Sequence, residues 1–432
     1  MMVRGDVERM TQLRTMSWRV LLAAMAVLGC ALLSPLSAQT TNSFQAFLDG
    51  LWPEAKAFGI SRATFDTAFK GVEPDLGLPD LVRPGANPAG DATSSAKGQA
   101  EFTRPPQDYL DRKNLSNLAS QARTLSAKHA SALAQVESQL GVDRNIVLAI
   151  WGRETAFGTY KLPHYAIRVL VTQAYTGRRK ELFRRELLFG LKMLQDGIVT
   201  VPAMKSSWAG AMGLTQFMPS EFYQSAYDLD KDGKADLFNS VPDALGSAAK
   251  QLKDKGWLAG VPWGFEIRLP ASIDCGSDGP VNARTLGDWV KAGVVRTNGK
   301  PMPANLLTQS AYLMSPGGSY GPSFLVTDNF KVLRAYNTSD LYAVFVGTLS
   351  DRIGGTVDFD TPWKQIVQLP NRDVEEIQKQ LKQRGAAIDK LDGKIGSNTR
   401  WQIGSYQKKA GLTVDCWPTA GLLTHLRSAP VR

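Results

Sequence analysis

Residues 143–158 read DRNIVLAIWGRETAFG, and this stretch decides the fold of the chain. Asp143 is a residue type that caps helix N-termini, and Gly158 is one that follows helix C-termini, so we predict a helix that starts at Arg144. Helical periodicity places Glu154 on the same face as three large apolar residues. These three are Val147, Ile150 and Trp151. Glu154 therefore ends an apolar face in the last turn of the predicted helix.

A carboxylate at the end of an apolar face loses hydration, which raises its pKa. Such a group stays protonated near neutral pH and can serve as a general acid. The helix dipole is also unfavourable to an ionised acid in the last turn. The alternative is a structural role in which Glu154 turns outward or pairs with Arg153 or Lys161. The position alone leaves both interpretations open.

A second segment, residues 206–220, reads SSWAGAMGLTQFMPS and is rich in small side chains. Small residues let a ligand or another backbone approach the main chain closely. Gln216 offers an amide that donates and accepts hydrogen bonds, and Phe217 offers an apolar surface. This pair suits sugar hydroxyls and the faces of sugar rings. The alternative is a segment of tight helix packing, and the segment by itself leaves that open.

Together, residues 154–158 (ETAFG) and 210–220 (GAMGLTQFMPS) resemble the lytic murein transglycosylase B family. Further matching residues lie upstream of, between and downstream of the two motifs. They are Glu101-Phe102, Tyr109-Leu110, Arg178-Arg179, Glu181-Leu182-Phe183, Asn329-Phe330, Tyr336-Asn337 and Tyr342-Ala343. The resemblance covers residues 43–355, and the paired motifs are far more specific than either motif alone.

The resemblance implies a lysozyme-like α domain that cleaves the β-1,4 bond between N-acetylmuramic acid and N-acetylglucosamine in peptidoglycan. Glu154 matches the single catalytic acid of the family, which acts first as an acid and then as a base and leaves a 1,6-anhydromuramic end. Other positions match residues that contact the sugar or stack on it. They are Ser207, Gln216, Tyr336 and Asn337 for contacts, and Tyr109, Phe217 and Tyr342 for stacking. The alternatives are a hydrolytic muramidase with a second carboxylate and a non-catalytic peptidoglycan-binding scaffold.

The composition of the 432 residues is close to that of average globular proteins, with 43% hydrophobic and 21% charged residues. The length predicts two or more domains. Only three cysteines and three histidines are present, and their scatter argues against a transition-metal site, so we expect no catalytic cofactor. The net charge of +10 suggests an anionic partner. Because the chain shows no basic stripe or aromatic-basic motif, we expect no binding to nucleic acid.

Residues 20–33, VLLAAMAVLGCALL, form an apolar run behind a basic stretch, which is typical of a signal peptide. The run is shorter than the ~20 residues that span a bilayer. We expect export to the periplasm, with residues 1–38 as the signal peptide. Cys30 lies in a lipobox-like sequence, so attachment to the outer membrane as a lipoprotein is the alternative. Cys275 and Cys416 would then lie in an oxidising compartment, where a disulfide and two separate thiols both remain open.

Apolar periodicity predicts a mainly α protein with a small β element in its main body. Helices are predicted at 43–69, with breaks at Gly50 and Gly59, and at 115–140, 178–196, 220–227, 242–256 and 303–314. Strands are predicted at 263–269 and 324–326. Residues 85–97 contain no large apolar residue, which predicts a surface loop.

Residues 228–243 begin like a calcium-binding loop, with acids at positions 1, 3, 5 and 9 and glycine at position 6. Position 12 is Asn239 and not the usual glutamate. Asp243 is therefore expected to supply the last carboxylate, as the longer calcium loop of the resembled family does. The expected metal ligands are Asp228, Asp230, Asp232, Lys234, Asp236 and Asp243. The alternative is a solvated acidic turn, so a structural calcium ion is a hypothesis at this point.

Residues 371–432 contain eleven basic and six acidic side chains, which is half of the net charge of +10. Three helices are predicted in this segment, at 374–384, 399–410 and 419–426. Its sequence resembles the three-helix peptidoglycan-binding domain of wall enzymes, with Asp415-Cys416 where that family usually has Asp-Gly. A generic helical bundle is the alternative.

These patterns predict a catalytic domain at 39–357, a linker at 358–370 and a wall-binding module at 371–432. We expect a monomer whose partner is peptidoglycan. In this interpretation the module tethers the enzyme to the polymer and takes no part in bond cleavage.

Overall fold

Helices make up most of the computed structural model, which describes residues 35–82, 100–356 and 358–430. The mainly α fold class predicted from the sequence is confirmed. The signal peptide interpretation of residues 1–38 and the loop predicted at 85–97 fall almost wholly outside the described residues. Within the described part of the chain, no helix has both the length and the apolar composition needed to cross a membrane.

The chain divides into two units, Met1–Pro74 and Asp75–Arg432. The described part of the first contains two helices, α1 (Pro35–Ala57) and α2 (Arg62–Phe69). Ser61 caps α2 by accepting a hydrogen bond from the backbone N–H of Thr64. The α1 helix continues through Gly50, so the break predicted at that residue does not occur.

The second unit is built around one buried helix. Its main body contains α3 (Ala100–Thr103), α4 (Pro106–Tyr109), α5 (Arg112–Lys128), α6 (Ala130–Gln135), α7 (Arg144–Thr155), α8 (Ala166–Thr176), α9 (Lys180–Gln195), α10 (Pro219–Ser225), α11 (Val241–Asp254), α12 (Leu286–Lys291), α13 (Asp328–Tyr336) and α14 (Asp340–Ile353). Helices α5, α11 and α14 pack on α7. Every residue from Ile146 to Gly152 is buried, so α7 is covered on all sides and not on one face only.

Seven short strands complete the main body. They are β1 (His164–Tyr165), β2 (Lys205–Ser206), β3 (Gly264–Arg268), β4 (Arg284–Thr285), β5 (Val295–Arg296), β6 (Ser310–Met314) and β7 (Ser323–Thr327). Strands β1 and β2 pair with each other, and the remaining strands form an antiparallel sheet in the order β4-β6-β7-β3-β5. The strands predicted at 263–269 and 324–326 are confirmed as β3 and β7.

Two predicted helices differ from the structure. Residues 303–314 form a short 3₁₀ turn at Ala304–Leu306 and then strand β6. Strand β6 lies between β4 and β7, and its four apolar residues are all buried. A short apolar run that is covered on both faces carries no period that separates strand from helix. The helix predicted at 115–140 is interrupted at His129 and ends in a π-turn at Val136–Leu140.

The C-terminal residues form a module of three helices, α15 (Asn371–Gln383), α16 (Ser397–Lys409) and α17 (Ala420–Ser428). Its core consists of Ile377, Leu381, Ile388, Ile403, Leu422, Leu423 and Leu426. Cys416 of this module is bonded to Cys275 of the main body, with 6.0 Å between their Cα atoms. The question that the sequence left open is therefore resolved in favour of a disulfide.

Residues 358–370 connect α14 to the module without regular secondary structure. The segment lies on the main body, because Ile366 is buried and its carbonyl accepts a hydrogen bond from the side chain of Gln107. Lys364 donates its backbone N–H to the carbonyl of Tyr320. The connection is thus held along its length.

Candidate active site

Two neighbouring pockets meet at the C-terminal end of α7. One has a volume of about 420 Å³ and is lined by Glu154, Arg153, Tyr109 and Phe345. The other has a volume of about 450 Å³ and is lined by Thr155, Lys161, Lys205 and Leu214. Tyr160, which is 58% exposed, lines both pockets. The two pockets therefore form adjoining parts of one groove, and Glu154 lies in its wall.

The two sequence motifs meet directly beneath this groove. The chain leaves α7 through Ala156 and Phe157, whose φ angles of 46° and 58° are left-handed. The ring of Phe157 packs edge-on against the ring of Trp151, with 5.4 Å between the ring centroids. Thr155 donates its hydroxyl to the carbonyl of Leu214 at 2.7 Å, which joins the first motif to the second. A left-handed turn and a partly buried hydrogen bond thus fix where α7 ends.

The environment of Glu154 favours a protonated acid. Burial raises the pKa of Glu154, and the positive charge of Arg153 and a hydrogen bond from Tyr342 oppose that rise. The hydroxyl of Tyr342 donates to Oε1 of Glu154 at 2.6 Å. Because burial is the largest of these effects, the carboxyl group keeps its proton to higher pH than an exposed glutamate.

Arg153 is held on the side of the groove by aromatic rings. Its guanidinium donates to the hydroxyl of Tyr109 from Nε at 3.1 Å and from Nη2 at 2.8 Å. It also lies 5.3 Å from the ring of Tyr109 and 5.4 Å from the ring of Phe345. Burial raises the pKa of Tyr109 to about 12, so this tyrosine stays neutral. The charge of Arg153 is therefore fixed next to Glu154 without blocking the carboxyl group.

The charges of two other acids, Glu101 and Glu221, raise the pKa of Glu154. Both of these acids lie close to other partners. Glu101 is 8% exposed and lies 3.9 Å from the Nη2 atom of Arg153. Glu221 accepts the backbone N–H of Met218 and pairs with Lys255 at 3.2 Å. The described residues that line the groove include neither of these acids.

Asp236 does line the adjoining pocket. Its Oδ1 accepts the backbone N–H groups of Phe238 and Asn239, and its Oδ2 accepts the side chain of Asn239. Among the acids described around the groove, Glu154 is therefore the one that is placed to donate a proton to a ligand.

The second motif forms a tight loop below the groove. Met212 and Phe217 exchange two backbone hydrogen bonds, which closes the segment between them. Gly213 has a φ angle of +74°, and a Cβ atom there would lie 2.7 Å from the carbonyl oxygen of Leu237. Gln216 also has a left-handed φ, +57°, and its Nε2 donates to the carbonyl of Gly213. A non-glycine residue in this region of φ is uncommon and is a typical sign of a functional loop.

The predicted substrate-binding residues fall into two groups. Ser207, Gln216, Tyr336 and Asn337 are partly exposed. Tyr109, Phe217 and Tyr342 are buried, with exposed fractions of 5%, 2% and 1%. Tyr109 lines the pocket that contains Glu154, whereas Phe217 and Tyr342 face protein neighbours, so the stacking role expected for the three rings stays a prediction. Tyr342 lies parallel to Tyr336 with centroids 6.4 Å apart, and Phe217 meets Tyr336 edge-on.

Several residues of the site were not predicted. The sequence indicates Arg153 only as an ion-pair partner of Glu154, whereas its main partner in the structure is Tyr109. The sequence does not indicate Phe345 or Tyr160 as residues of the site. Their sequence signal is weak, because aromatic residues at these positions are equally typical of a core. Only the assembled fold brings Phe345, in α14, next to Arg153, in α7.

The acidic loop brings four carboxylates together. One oxygen from each of Asp228, Asp230, Asp232 and Asp243 lies within 4.8 Å of the others. Oδ1 of Asp228 is buried and accepts no hydrogen bond, which is unusual for a charged oxygen. Oxygen ligands of this number and charge suit calcium. The donor set thus fits the cation, and the orphaned oxygen gives that fit an independent observation.

The cluster includes neither Asp236 nor Lys234 of the predicted metal ligands, and Asp243 has a second role in addition to its place in the cluster. Asp236 lies outside the carboxylate cluster and caps the turn that follows the loop. Asp243 is in the cluster, is fully buried and accepts the backbone N–H groups of Leu229, Asp230 and Asp236. The side chain of Asp243 therefore closes the loop. Lys234 donates its backbone N–H to Asp232.

Residues 43–351 match the family described as Transglycosylase SLT domain, and residues 370–426 match a peptidoglycan binding domain. The chain is also 29% identical over 240 residues to membrane-bound lytic murein transglycosylase B of Escherichia coli strain K12. That match covers 52% of this chain, and the chain spans only 61% of the length of that relative.

Solved structures are also similar to this chain. SltB3 from Pseudomonas aeruginosa, in complex with NAG-anhNAM-pentapeptide, is 40% identical with a TM-score of 0.78. The match covers 89% of this chain and 99% of SltB3. Slt35 from Escherichia coli, in complex with calcium, is 24% identical with a TM-score of 0.56, covering 72% of this chain and 92% of Slt35, and shows a shared fold. With a family match over most of its length and a groove built around one acid, the chain belongs to the SLT transglycosylase family of lytic transglycosylases.

Proposed function

We propose that this chain cleaves the β-1,4 bond between N-acetylmuramic acid and N-acetylglucosamine in peptidoglycan, with Glu154 as its acid and base. The observation that carries the proposal is the environment of Glu154. Glu154 is half-buried in the wall of the groove, the pKa of its carboxyl group is raised by burial, and Tyr342 donates a hydrogen bond that orients it. These are the properties of a general acid.

The reaction needs one carboxyl group. Glu154 gives its proton to the glycosidic oxygen as the C1–O bond breaks, and N-acetylglucosamine leaves as an alcohol. The acetamido oxygen of the muramic acid stabilises the positive charge at C1. The C6 hydroxyl then forms a bond to C1, and its proton returns to Glu154. No water is consumed, whereas hydrolysis ordinarily requires two carboxyl groups at a set distance.

The partly exposed polar residues of the site are proposed to bind the sugar. Ser207, Gln216 and Asn337 offer a hydroxyl and two amides, which suit sugar hydroxyls and the acetamido group. Tyr336 is half-buried as a residue, and its hydroxyl donates to the carbonyl of Thr215. The likeness to SltB3, which was solved with an anhydromuramic ligand, supports an anhydro product.

We also propose a structural calcium ion held by Asp228, Asp230, Asp232 and Asp243. Their carboxylates would repel one another without a cation. A bound ion would neutralise this charge and would be coordinated by the orphaned oxygen of Asp228. The loop lies next to the groove, because Asp236 and Asn239 line one of its pockets. The proposed role of the ion is to hold this wall in place and not to take part in catalysis.

We propose that the enzyme is exported to the periplasm. The disulfide between Cys275 and Cys416 supports an oxidising compartment, because cytosolic thiols are kept reduced. Cys30, the candidate lipidation site, lies outside the described residues. We assign 39–357 to the catalytic domain, 358–370 to the linker and 371–432 to a module that binds the wall.

Product analysis of digested murein tests this proposal. The purified enzyme is expected to release fragments with anhydromuramic ends, which contain one water less than reducing ends. Reducing ends would mean hydrolysis by a muramidase, and no new ends would mean a non-catalytic scaffold. Either of these results would refute the proposal. Glu154→Gln serves as the control for contaminating wall enzymes.

A further inference from the structure

A buried arginine of the C-terminal module bridges two acids of the main body. Nε of Arg400 lies 2.7 Å from Oδ2 of Asp278, and its Nη2 lies 3.2 Å from Oδ2 of Asp340. The side chains of Arg400, Asp278 and Asp340 are 1%, 0% and 4% exposed. The same oxygen of Asp340 also accepts the backbone N–H of Ser397, the first residue of α16. Two groups of the module thus converge on Asp340.

Asp340 stands at the start of the helix that carries Tyr342. Ser339 caps α14 and accepts the backbone N–H of Tyr342, and Asp340 is the first residue of the helix. The other oxygen of Asp340 pairs with Arg334 of α13 at 2.8 Å. Asp340 therefore ties the end of α13, which carries Tyr336, to the start of α14. Two residues further on, the hydroxyl of Tyr342 donates to Glu154.

We infer that Arg400 is a positioning residue for the catalytic acid, acting through Asp340, the first turn of α14 and the hydroxyl of Tyr342. The inference rests on the proposed function of Glu154. Through this contact the C-terminal module holds the catalytic helix pair in place, in addition to any binding of the wall. The module acts as part of the active-site framework, which differs from the independent tether that the sequence predicted.

Removing Arg400 from its buried ion pairs should disturb the surrounding structure. Loss of Arg400 would leave two carboxylates buried next to each other with Arg334 as the nearby cation, a change that is strongly destabilising locally. Asp340 would relax towards solvent or towards Arg334, and the first turn of α14 would move with it. Displacements of ~1 Å at a catalytic group can lower the rate ~100-fold. The expected effect therefore falls on the catalytic step.

The test uses the full chain and short soluble glycan fragments, so that binding of the module to the polymer does not contribute. Arg400→Gln is expected to lower kcat about tenfold and to leave KM within about twofold, since the interaction acts on the chemical step. Arg400→Lys should recover part of the rate. Lysine keeps the positive charge but lacks the planar guanidinium group that donates to both acids at once. Arg427→Gln is the matched control, since Arg427 pairs with Glu376 on the surface of the same module.

A second variant keeps the test valid if Arg400→Gln does not fold. Arg400→Met combined with Asp278→Asn removes two buried charges together, and Asp340 keeps Arg334 as a partner. Its kcat should fall like that of Arg400→Gln. The inference is overturned if folded Arg400 variants match Arg427→Gln in kcat on soluble fragments, or if only their activity on whole sacculi falls. Glu154→Gln is assayed in parallel, because activity in that variant would refute the proposed function itself and not the coupling.

Discussion

The hydroxyl of Tyr342 donates a hydrogen bond of 2.6 Å to Oε1 of Glu154, although the two residues are 188 positions apart in the chain. Tyr342 is 1% exposed, and burial raises its pKa well above the usual value, so the hydroxyl keeps its proton. The bond favours the ionised form of Glu154 and therefore partly offsets the effect of burial. Tyr342 thus orients the carboxyl group of Glu154 and lowers its pKa against the effect of burial.

Tyr342→Phe should raise the pKa of Glu154 further and lower kcat. The lost hydrogen bond stabilises the carboxylate, so its removal shifts the titration upwards, by about one unit for a bond worth ~1–2 kcal/mol. The measurement is the pH dependence of kcat, in which the basic limb should move to higher pH. Tyr336→Phe is the control, because its hydroxyl donates to the carbonyl of Thr215 and not to Glu154. An unmoved basic limb in Tyr342→Phe would contradict the assigned role.

Glu154→Gln should abolish cleavage and preserve the fold. The amide has nearly the same shape but cannot donate a proton and then accept one. General acid–base catalysis contributes ~10²–10⁴ in rate, so less than ~10% of the parental activity is expected on murein. Glu221→Gln is a matched control, because Glu221 is a nearby acid that pairs with Lys255. Comparable losses in the two variants would show that the effect arises from the general charge balance of the region.

Calcium should raise the melting temperature of the parent protein, because an ion that binds only the folded state stabilises it by mass action. Asp228→Asn should remove most of this increment, since Asp228 supplies the orphaned oxygen of the cluster. Asp236→Asn should keep it, because Asp236 lies outside the cluster. Differential scanning fluorimetry in calcium and in chelator gives the comparison. Identical curves in the two conditions would mean that the loop is a polar turn without a metal.

The disulfide should contribute substantially to stability. Cys275 and Cys416 are 141 positions apart, so the bond closes a long loop in the unfolded chain. Replacing both by serine should lower the free energy of unfolding by roughly 2–5 kcal/mol. Urea unfolding of the double variant and of the parent, with and without reductant, measures the difference. Equal midpoints for oxidised parent and double variant would show that the bond adds nothing to the docked module.

Asp351 should make stability depend on pH. Desolvation of its carboxyl group raises the pKa to about 7 although the residue as a whole is exposed, and Trp263 donates to its Oδ2 at 3.0 Å. Between pH ~4 and ~7 the unfolded chain releases this proton while the folded chain retains it, so the free energy of unfolding falls as the pH rises. Asp351→Asn should match the parent at pH 4 and exceed it modestly at pH 8, because solvent screens the charge of this exposed residue.

Chemical unfolding across this pH range tests the prediction for Asp351. Asp328→Asn is the control, because Asp328 is exposed and pairs with Lys331 on the surface of α13. A difference between Asp351→Asn and the parent that does not vary with pH would contradict the assignment.

The sequence predicted the helices whose ends carry local signals. Asp143 caps α7 in the structure as its residue type suggests, and its side chain accepts the backbone N–H of Asn145. The strands around Phe265 and Phe324 were also predicted. The helices α8, α13 and α14 were not, and residues 310–314 were placed in a helix. Most residues of α8, α14 and 310–314 are buried, so their periodicity is weak and tertiary packing decides their structure.

Glu154 could be predicted as the candidate acid because part of its surroundings lies in the same helix. Glu154 follows the apolar residues of α7, and that proximity signals burial. The partners of Glu154 could not be predicted from spacing, because Tyr342 belongs to α14 and its distance in sequence carries no geometric information. The same reason applies to Arg400, whose acids come from a loop and from α14. Contacts between distant segments depend on the packing of the whole unit.

The docking of the module also limits which strands of the wall the enzyme can use. A module on a long flexible linker samples many positions, so both sites can be engaged over a wide range of geometries. Here the disulfide and the Arg400 contacts hold the module in one place, and the connecting segment lies on the main body. Simultaneous binding is then available only to a strand whose path matches the fixed separation and angle between the two sites. The enzyme would thus select substrate by the local course of the glycan as well as by its chemistry.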